Sequence, residues 1–209
     1  MKYNPFIRLT VDAELKPFDC GLKDINDFFL NDAKKYQSRL LAVTYYVVDS
    51  DRTIVFFTLS NDKITASEER RGEPIFSKSF FRKIKSKFSH EKHRDEYPAV
   101  KIGRLGVHRD FRKNGQHWGS FTLDFIKDWM ISKNKTGCCF ITVDAYATAV
   151  EFYMKNGFLF LGNKEQRRYE TWAKEQENHC QEECEDKRLP TFAMYFNLLT
   201  MLPDNDNNV

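Results

Sequence analysis

Apolar residues follow two rhythms along this chain. Ile25, Phe28, Phe29 and Tyr36 recur near helical spacing and predict an amphipathic helix from Asp24 to Arg39. Leu41 to Val48 and Thr53 to Leu59 are instead rich in Val, Tyr and Phe, with Asp49-Ser50-Asp51 between them. That pair reads as an antiparallel hairpin. Val100 to Val107, Phe140 to Ala145, Phe158 to Leu161 and Phe192 to Leu198 read as further strands. Helices are expected from Gly119 to Ser132 and from Thr148 to Asn156, the second stopped by Gly157 in a left-handed C-cap. Strands and helices alternate, which predicts a mixed α/β class in one domain over residues 1–209.

Two inserts, near residues 65–98 and 162–190, interrupt this order. Between Phe76 and Phe88 lie Lys78, Arg82, Lys83, Lys85 and Lys87, with no acid among them. Phe76, Phe80, Phe81, Ile84 and Phe88 interleave with those cations at helical spacing. A helix with a packed aromatic face and a solvated basic face accounts for the pattern. The other reading is a surface for an anionic acceptor, with Lys83 and Lys87 as contacts. The second insert, Lys164 to Arg188, is highly charged and reads as an exposed helical excursion. Its His179, Cys180 and Cys184 lack the paired close ligands and fourth partner of a structural zinc site, so no metal is expected.

Composition narrows the class. At 209 residues the chain can bury one good core, and 19 phenylalanines supply much of it. A net charge of +3 does not by itself mark a nucleic-acid binder. The five cysteines are odd in number and include the adjacent pair Cys138-Cys139, unlike a secreted disulfide framework. The N-terminus reads as no signal peptide, and no apolar run approaches a bilayer span. A soluble cytoplasmic protein with no membrane partner is expected.

The chemistry concentrates after the strand ending at Val107. His108 to Asn114 lead to Gly115-Gln116-His117-Trp118-Gly119-Ser120, which opens a helix. First-turn N–H groups of a helix lack an internal acceptor, and the helix dipole adds positive potential there. Glycine lets backbone reach a diphosphate without a side chain in the way, and Arg112 and Lys113 add positive charge. The arrangement suits a phosphate-bearing cofactor. It is neither a dinucleotide fingerprint nor a P-loop, since Gly-x-Gly-x-x-Gly and Gly-Lys-Ser/Thr are both missing.

Arg112-Lys113-Asn114-Gly115-Gln116-His117 resembles the Arg/Gln-x-x-Gly-x-Gly/Ala signature of the GNAT acetyltransferase superfamily. The preceding Gly103 to Val107 and the later Phe152 to Phe158 are similar to that family's pattern as well. Phe18-Asp19-Cys20-Gly21, followed by Ile25 to Phe29, resembles the toxin-like branch, whose members acetylate the amino group of charged tRNA. The likeness spans nearly the whole chain outside the two inserts. One position departs from it: His117 stands where the family has Gly or Ala, and its β-carbon crowds the backbone approach to a diphosphate.

The resemblance implies a mostly antiparallel, twisted GNAT sheet with helices on both faces and acetyl-CoA as cosubstrate. It implies cofactor contacts from Leu105, Gly106, Val107, Arg112, Lys113, Asn114, Gly115, Gln116, His117, Gly119 and Ser120. Backbone N–H groups at Leu105 to Val107 match the oxyanion donor, with Gly106 suited to a bulge. Tyr153 matches the general acid that protonates the departing thiolate. An α-amino acceptor titrates at roughly 7.7–8.0 and needs little help from a base. Asp144 reads as a strand-end carboxylate rather than as that base. An amine acceptor such as aminoacyl-tRNA, an antitoxin protein and a homodimer are all compatible with this branch. Two other readings stay open: a CoA-binding module weakened at His117, and an RNA- or partner-binding protein using residues 76–88.

Overall fold

A computed structural model describes residues 5–65, 96–112, 115, 117–133, 136–178 and 189–202. The basic stretch 76–88, with Lys83 and Lys87, lies outside the described residues, as do Lys113, Asn114, Gln116, His179, Cys180 and Cys184. In chain order the elements begin with β1 (Ile7–Arg8), α1 (Lys23–Asp27), a π turn (Phe28–Asp32) and α2 (Ala33–Ser38). β2 (Val43–Val48), β3 (Thr53–Thr65), β4 (Glu96–Val107) and α3 (Trp118–Ser132) follow. The chain continues with β5 (Phe140–Tyr146), α4 (Val150–Lys155), β6 (Leu159–Phe160), α5 (Asn163–Asn178) and β7 (Thr191–Asn197). The strands form a seven-stranded sheet in the order β1-β2-β3-β4-β5-β7-β6, mostly antiparallel.

Two compact units divide the described residues, the first drawn from Met1–Asn61 and Val100–Thr136. Its centre is β3, where Thr53 to Leu59 are all buried because both faces are covered. On one face Phe29 stacks on Phe56 at 4.3 Å, and Phe18 meets both rings edge-on. On the other, Phe6 packs on Phe57 and Phe125, while Tyr45 meets Trp129 of α3 at 5.0 Å. The β2–β3 hairpin pairs Val43 with Leu59 through Val47 with Val55, as the alternation predicts. Its turn is set by Asp49, whose carboxylate accepts the N–H groups of Asp51 and Arg52, both at 2.9 Å. Those two bonds hold the Asp49 carboxyl below its ordinary pKa.

The expected helix from Asp24 to Arg39 is not continuous α-helix. Its middle widens into the π turn, closed by the Ala33 N–H on the Phe28 carbonyl, an i→i+5 bond. Both adjacent rings, Phe28 and Phe29, are buried there.

The second unit comprises the described parts of Asp62–Ala99 and Gly137–Val209. Here β5 and β7 pair over seven residues, from Phe140 with Asn197 to Tyr146 with Thr191. Ile64, Tyr97, Ala99 and Phe140 form a small core on one side. The excursion expected at Lys164 to Arg188 does contain helix α5, but it is docked rather than wholly exposed. Tyr169 packs on Phe160 and Phe192, and Trp172 stacks on Tyr169. Glu165 accepts the Ala193 N–H of β7, and Arg168 lies over the Phe192 ring at 5.0 Å. The aromatic positions inside a charged helix mark its half-buried stripe.

Candidate active site

Building from β4 outward, the first feature is tight packing at its two glycines. A Cβ on Gly103 would stand 3.0 Å from Thr58 Oγ1, and one on Gly106 would stand 2.9 Å from the Phe56 ring. Gly106 is required for a further reason, since Ile25 and Phe18 also close to 3.0 Å over its α-carbon. Three apolar side chains occupy the space a methyl would need. At the strand's end the His108 N–H donates to the Ile54 carbonyl at 2.8 Å.

The connection to α3 begins as a single 3₁₀ turn, Arg109–Phe111, capped by His108 Nδ1 accepting the Asp110 N–H at 3.3 Å. Arg112 follows. The sequence reading gave it to the cofactor as positive charge, yet its Nε–H donates to the Val107 carbonyl at 3.2 Å and its Nη2 to the Cys20 carbonyl. Its planar fork is engaged by backbone, which fixes the start of the turn.

Beyond it the backbone turns left-handed twice. Gly115 has φ +77° and His117 has φ 44° with ψ 43°. A Cβ at Gly115 would meet nothing within 4 Å, so glycine is needed there for its torsion, not for space. This also explains the departure at His117: the position is left-handed, where Gly is the easy choice and His is tolerated at a cost. His117 is exposed and stands at the N-cap of α3, but its side chain makes no capping hydrogen bond. The Phe121 N–H donates to the His117 carbonyl at 3.0 Å. Gly119 and Ser120 lie in the first turn, whose N–H groups have no acceptor within the helix itself. A 15-residue helix with an uncapped left-handed entry concentrates donors and positive potential, as an anionic group requires.

Tyr153 belongs to the second unit, on the short helix α4. That helix ends in a Schellman motif: the Phe158 N–H bonds the Tyr153 carbonyl and the Gly157 N–H bonds the Met154 carbonyl, both at 3.0 Å. Gly157 has φ +82°, the left-handed C-cap expected from the sequence. Phe158 completes the motif by packing edge-on against the Tyr153 ring at 5.2 Å. Phe152 does the same from within the helix. The Tyr153 side chain is buried, and burial raises its phenol well above the ordinary value. Asp144 stays exposed on β5, opposite Ala193 of β7.

Sequence reasoning missed the ring of polar contacts around Asp19. Its Oδ1 accepts the Gly21 N–H at 2.7 Å and Asn26 Nδ2 at 3.0 Å, while Oδ2 pairs with Arg109. The signal was an Asp two residues before a Gly N–H, the pattern of an Asx turn. Among the described residues no group of three or more His, Cys, Asp and Glu side chains could hold a metal ion. No described helix is long and apolar enough to cross a membrane.

No protein-family model and no curated protein matches the chain. Solved structures do match. One, described as a bacterial toxin, superposes with a TM-score of 0.63 at 17% identity, covering 98% of this chain and 96% of that one. AtaTR bound with AcCoA gives 0.61 at 21% identity over 94% of each chain. AtaT complexed with acetyl-methionyl-tRNAfMet gives 0.60 at 18% identity, over 94% of this chain and 95% of its own. At such identities the likeness is one of fold. The architecture is the mixed α/β GNAT fold, shared end to end with these toxin structures.

Proposed function

We propose that this chain transfers an acetyl group from acetyl-CoA to a primary amine, acting as a single catalytic domain over residues 1–209. The observation that carries the reading is the entry to α3, where Gly115 and His117 turn left-handed before an uncapped helix. Backbone N–H groups of Gly119 and Ser120 would then hold the diphosphate, with Gly115 and His117 setting the approach. Among matched structures, AtaTR is described as bound with AcCoA, which supports this cosubstrate.

In the proposed reaction the neutral amine attacks the thioester carbonyl and its nitrogen–carbon bond forms. The carbonyl π electrons move to oxygen, which backbone N–H groups at Leu105 to Val107 would stabilise. Collapse breaks the carbon–sulfur bond, and the thiolate takes the Tyr153 phenolic proton. The amine nitrogen gives up its extra proton, and solvent returns one to the phenolate. The Tyr153 phenol is protonated through the neutral range, as a donor must be before this step.

For the acceptor we propose the α-amino group of an aminoacyl-tRNA, with Lys83 and Lys87 meeting its phosphates. AtaT is described as complexed with acetyl-methionyl-tRNAfMet, and another match as AtaT bound to the C-terminus of the antitoxin AtaR. An antitoxin partner, a homodimer and a cytoplasmic location fit the same proposal. The unusual torsion at His117 favours one rival, a CoA-binding module with weakened catalysis. Measuring acetyl-CoA binding by calorimetry and turnover with charged tRNA separates them. Binding with turnover supports the enzyme, binding without turnover the module, and no binding removes both.

A further inference from the structure

The two arginines that flank the start of the diphosphate turn are both held by one short loop, Asp19 to Asn26. Arg109 donates its backbone N–H to the Asp19 carbonyl at 2.9 Å, and its guanidinium pairs with Asp19 Oδ2. Arg112 reaches the next carbonyl along, that of Cys20. The loop itself is fixed internally. Cys20 N–H donates to Asn26 Oδ1 at 2.9 Å, and Asn26 Nδ2 donates back to Asp19 Oδ1. Gly21, at φ +78°, closes the turn on the same carboxylate oxygen. A second fastening comes from Arg52, which pairs with Asp110 between the two arginines.

We propose that Asp19 is a positioning residue for the diphosphate turn, acting through Arg109 and through the Cys20 carbonyl that holds Arg112; this rests on the acetyl-CoA reading above. The physical need is plain. His117 is a non-glycine residue with a left-handed torsion, and such a torsion persists only where the surroundings over-determine it. A hinge at Arg109–Arg112 would let the segment relax and withdraw its donors. Asp19 removes that hinge with a charge-assisted pair and two further accepted hydrogen bonds. Asp19 matches the charge of Arg109, while Arg112 keeps its charge and is aimed by the Val107 and Cys20 carbonyls.

The test uses Asp19→Asn, Asp19→Glu and Arg109→Gln in the full-length chain, with two readouts. The first is steady-state kinetics. Asp19→Asn should raise the acetyl-CoA KM about tenfold, close to a 1.4 kcal/mol loss of binding, while kcat and the acceptor KM change less than about twofold. Asp19→Glu should recover part of the loss, and Asp19→Asn with Arg109→Gln should cost no more than the larger single change. The second readout is amide hydrogen exchange without ligand. The peptide from Arg109 to Phe121 should exchange at least about tenfold faster in Asp19→Asn, with β5 and β7 unchanged. Uniformly faster exchange across the chain, or an unaltered turn, would overturn the proposal. If the wild type binds no acetyl-CoA, the functional reading falls, and exchange alone decides whether Asp19 holds the turn. Should Asp19→Asn fail to fold, Arg109→Gln carries both readouts, with the same outcomes deciding.

Discussion

At the scale of single residues, His117 and Tyr153 each hold an awkward state. His117 has the left-handed torsion of a glycine, which costs a residue with a β-carbon about 1–2 kcal/mol. His117→Gly should therefore stabilise the fold, though by less than about 1 kcal/mol once the freer unfolded chain is counted. Chemical denaturation checks the sign. If the histidine only occupies the site, the same variant should bind acetyl-CoA at least as tightly as the wild type. If imidazolium contacts phosphate, it should bind more weakly, and most clearly towards about pH 5.5. Gly115→Val imposes the opposite change, placing a β-branched residue at φ +77°. It should weaken acetyl-CoA at least about tenfold in calorimetry through lost backbone geometry, since its Cβ has open space. Tyr153 carries a pH signature as well. Its phenol is raised in the folded state, so its stabilising share is complete below the unfolded value near about pH 10 and is lost as pH rises through the native value. Tyr153→Phe should therefore unfold less readily than the wild type above about pH 10, relative to their difference at neutral pH, in thermal melts across that range.

At the scale of elements, the strands and their turns were legible because their rhythm is local. The hairpin at Asp49, the helix opening near Gly119 and the cap at Gly157 each follow from a few neighbouring residues. The π turn at Phe28 was not legible, since it depends on how Phe28 and Phe29 are both buried against other elements. Nor was the close packing at β4 fixed by periodicity; it shows only when Gly103 and Gly106 are set against Thr58 and Phe56. Gly106 is the sharpest probe of that packing. Gly106→Ala should cost about 1–3 kcal/mol by overpacking Phe56, Ile25 and Phe18. Equilibrium unfolding with urea measures it. A cost near zero would mean the three side chains withdraw freely. The Asp19 network was hidden for a related reason. Asp19 and Arg109 are far apart in sequence, and only folding shows that one loop holds both turn arginines.

At the scale of the whole molecule, the chain shares the GNAT fold with toxin structures over nearly its full length while keeping few of their residues. The local structure around two candidate groups was legible beforehand: the turn at Gly115 and the Gly157 cap that ends the Tyr153 helix. Their sequence signals are short motifs tied to a helix start and a helix end. The carbonyl contacts of Arg112 were not, because a cation beside a turn reads the same whether it faces a phosphate or a carbonyl. The measurement that bears most directly on the central claim is transfer of labelled acetyl from acetyl-CoA to a pool of charged tRNA, by wild type and Tyr153→Phe side by side. The account predicts label on aminoacyl-tRNA with the wild type, and a rate lower by about 100- to 10,000-fold in the variant at unchanged acetyl-CoA affinity. Wild-type protein that binds acetyl-CoA yet labels neither charged tRNA nor any free or peptide amine would contradict it.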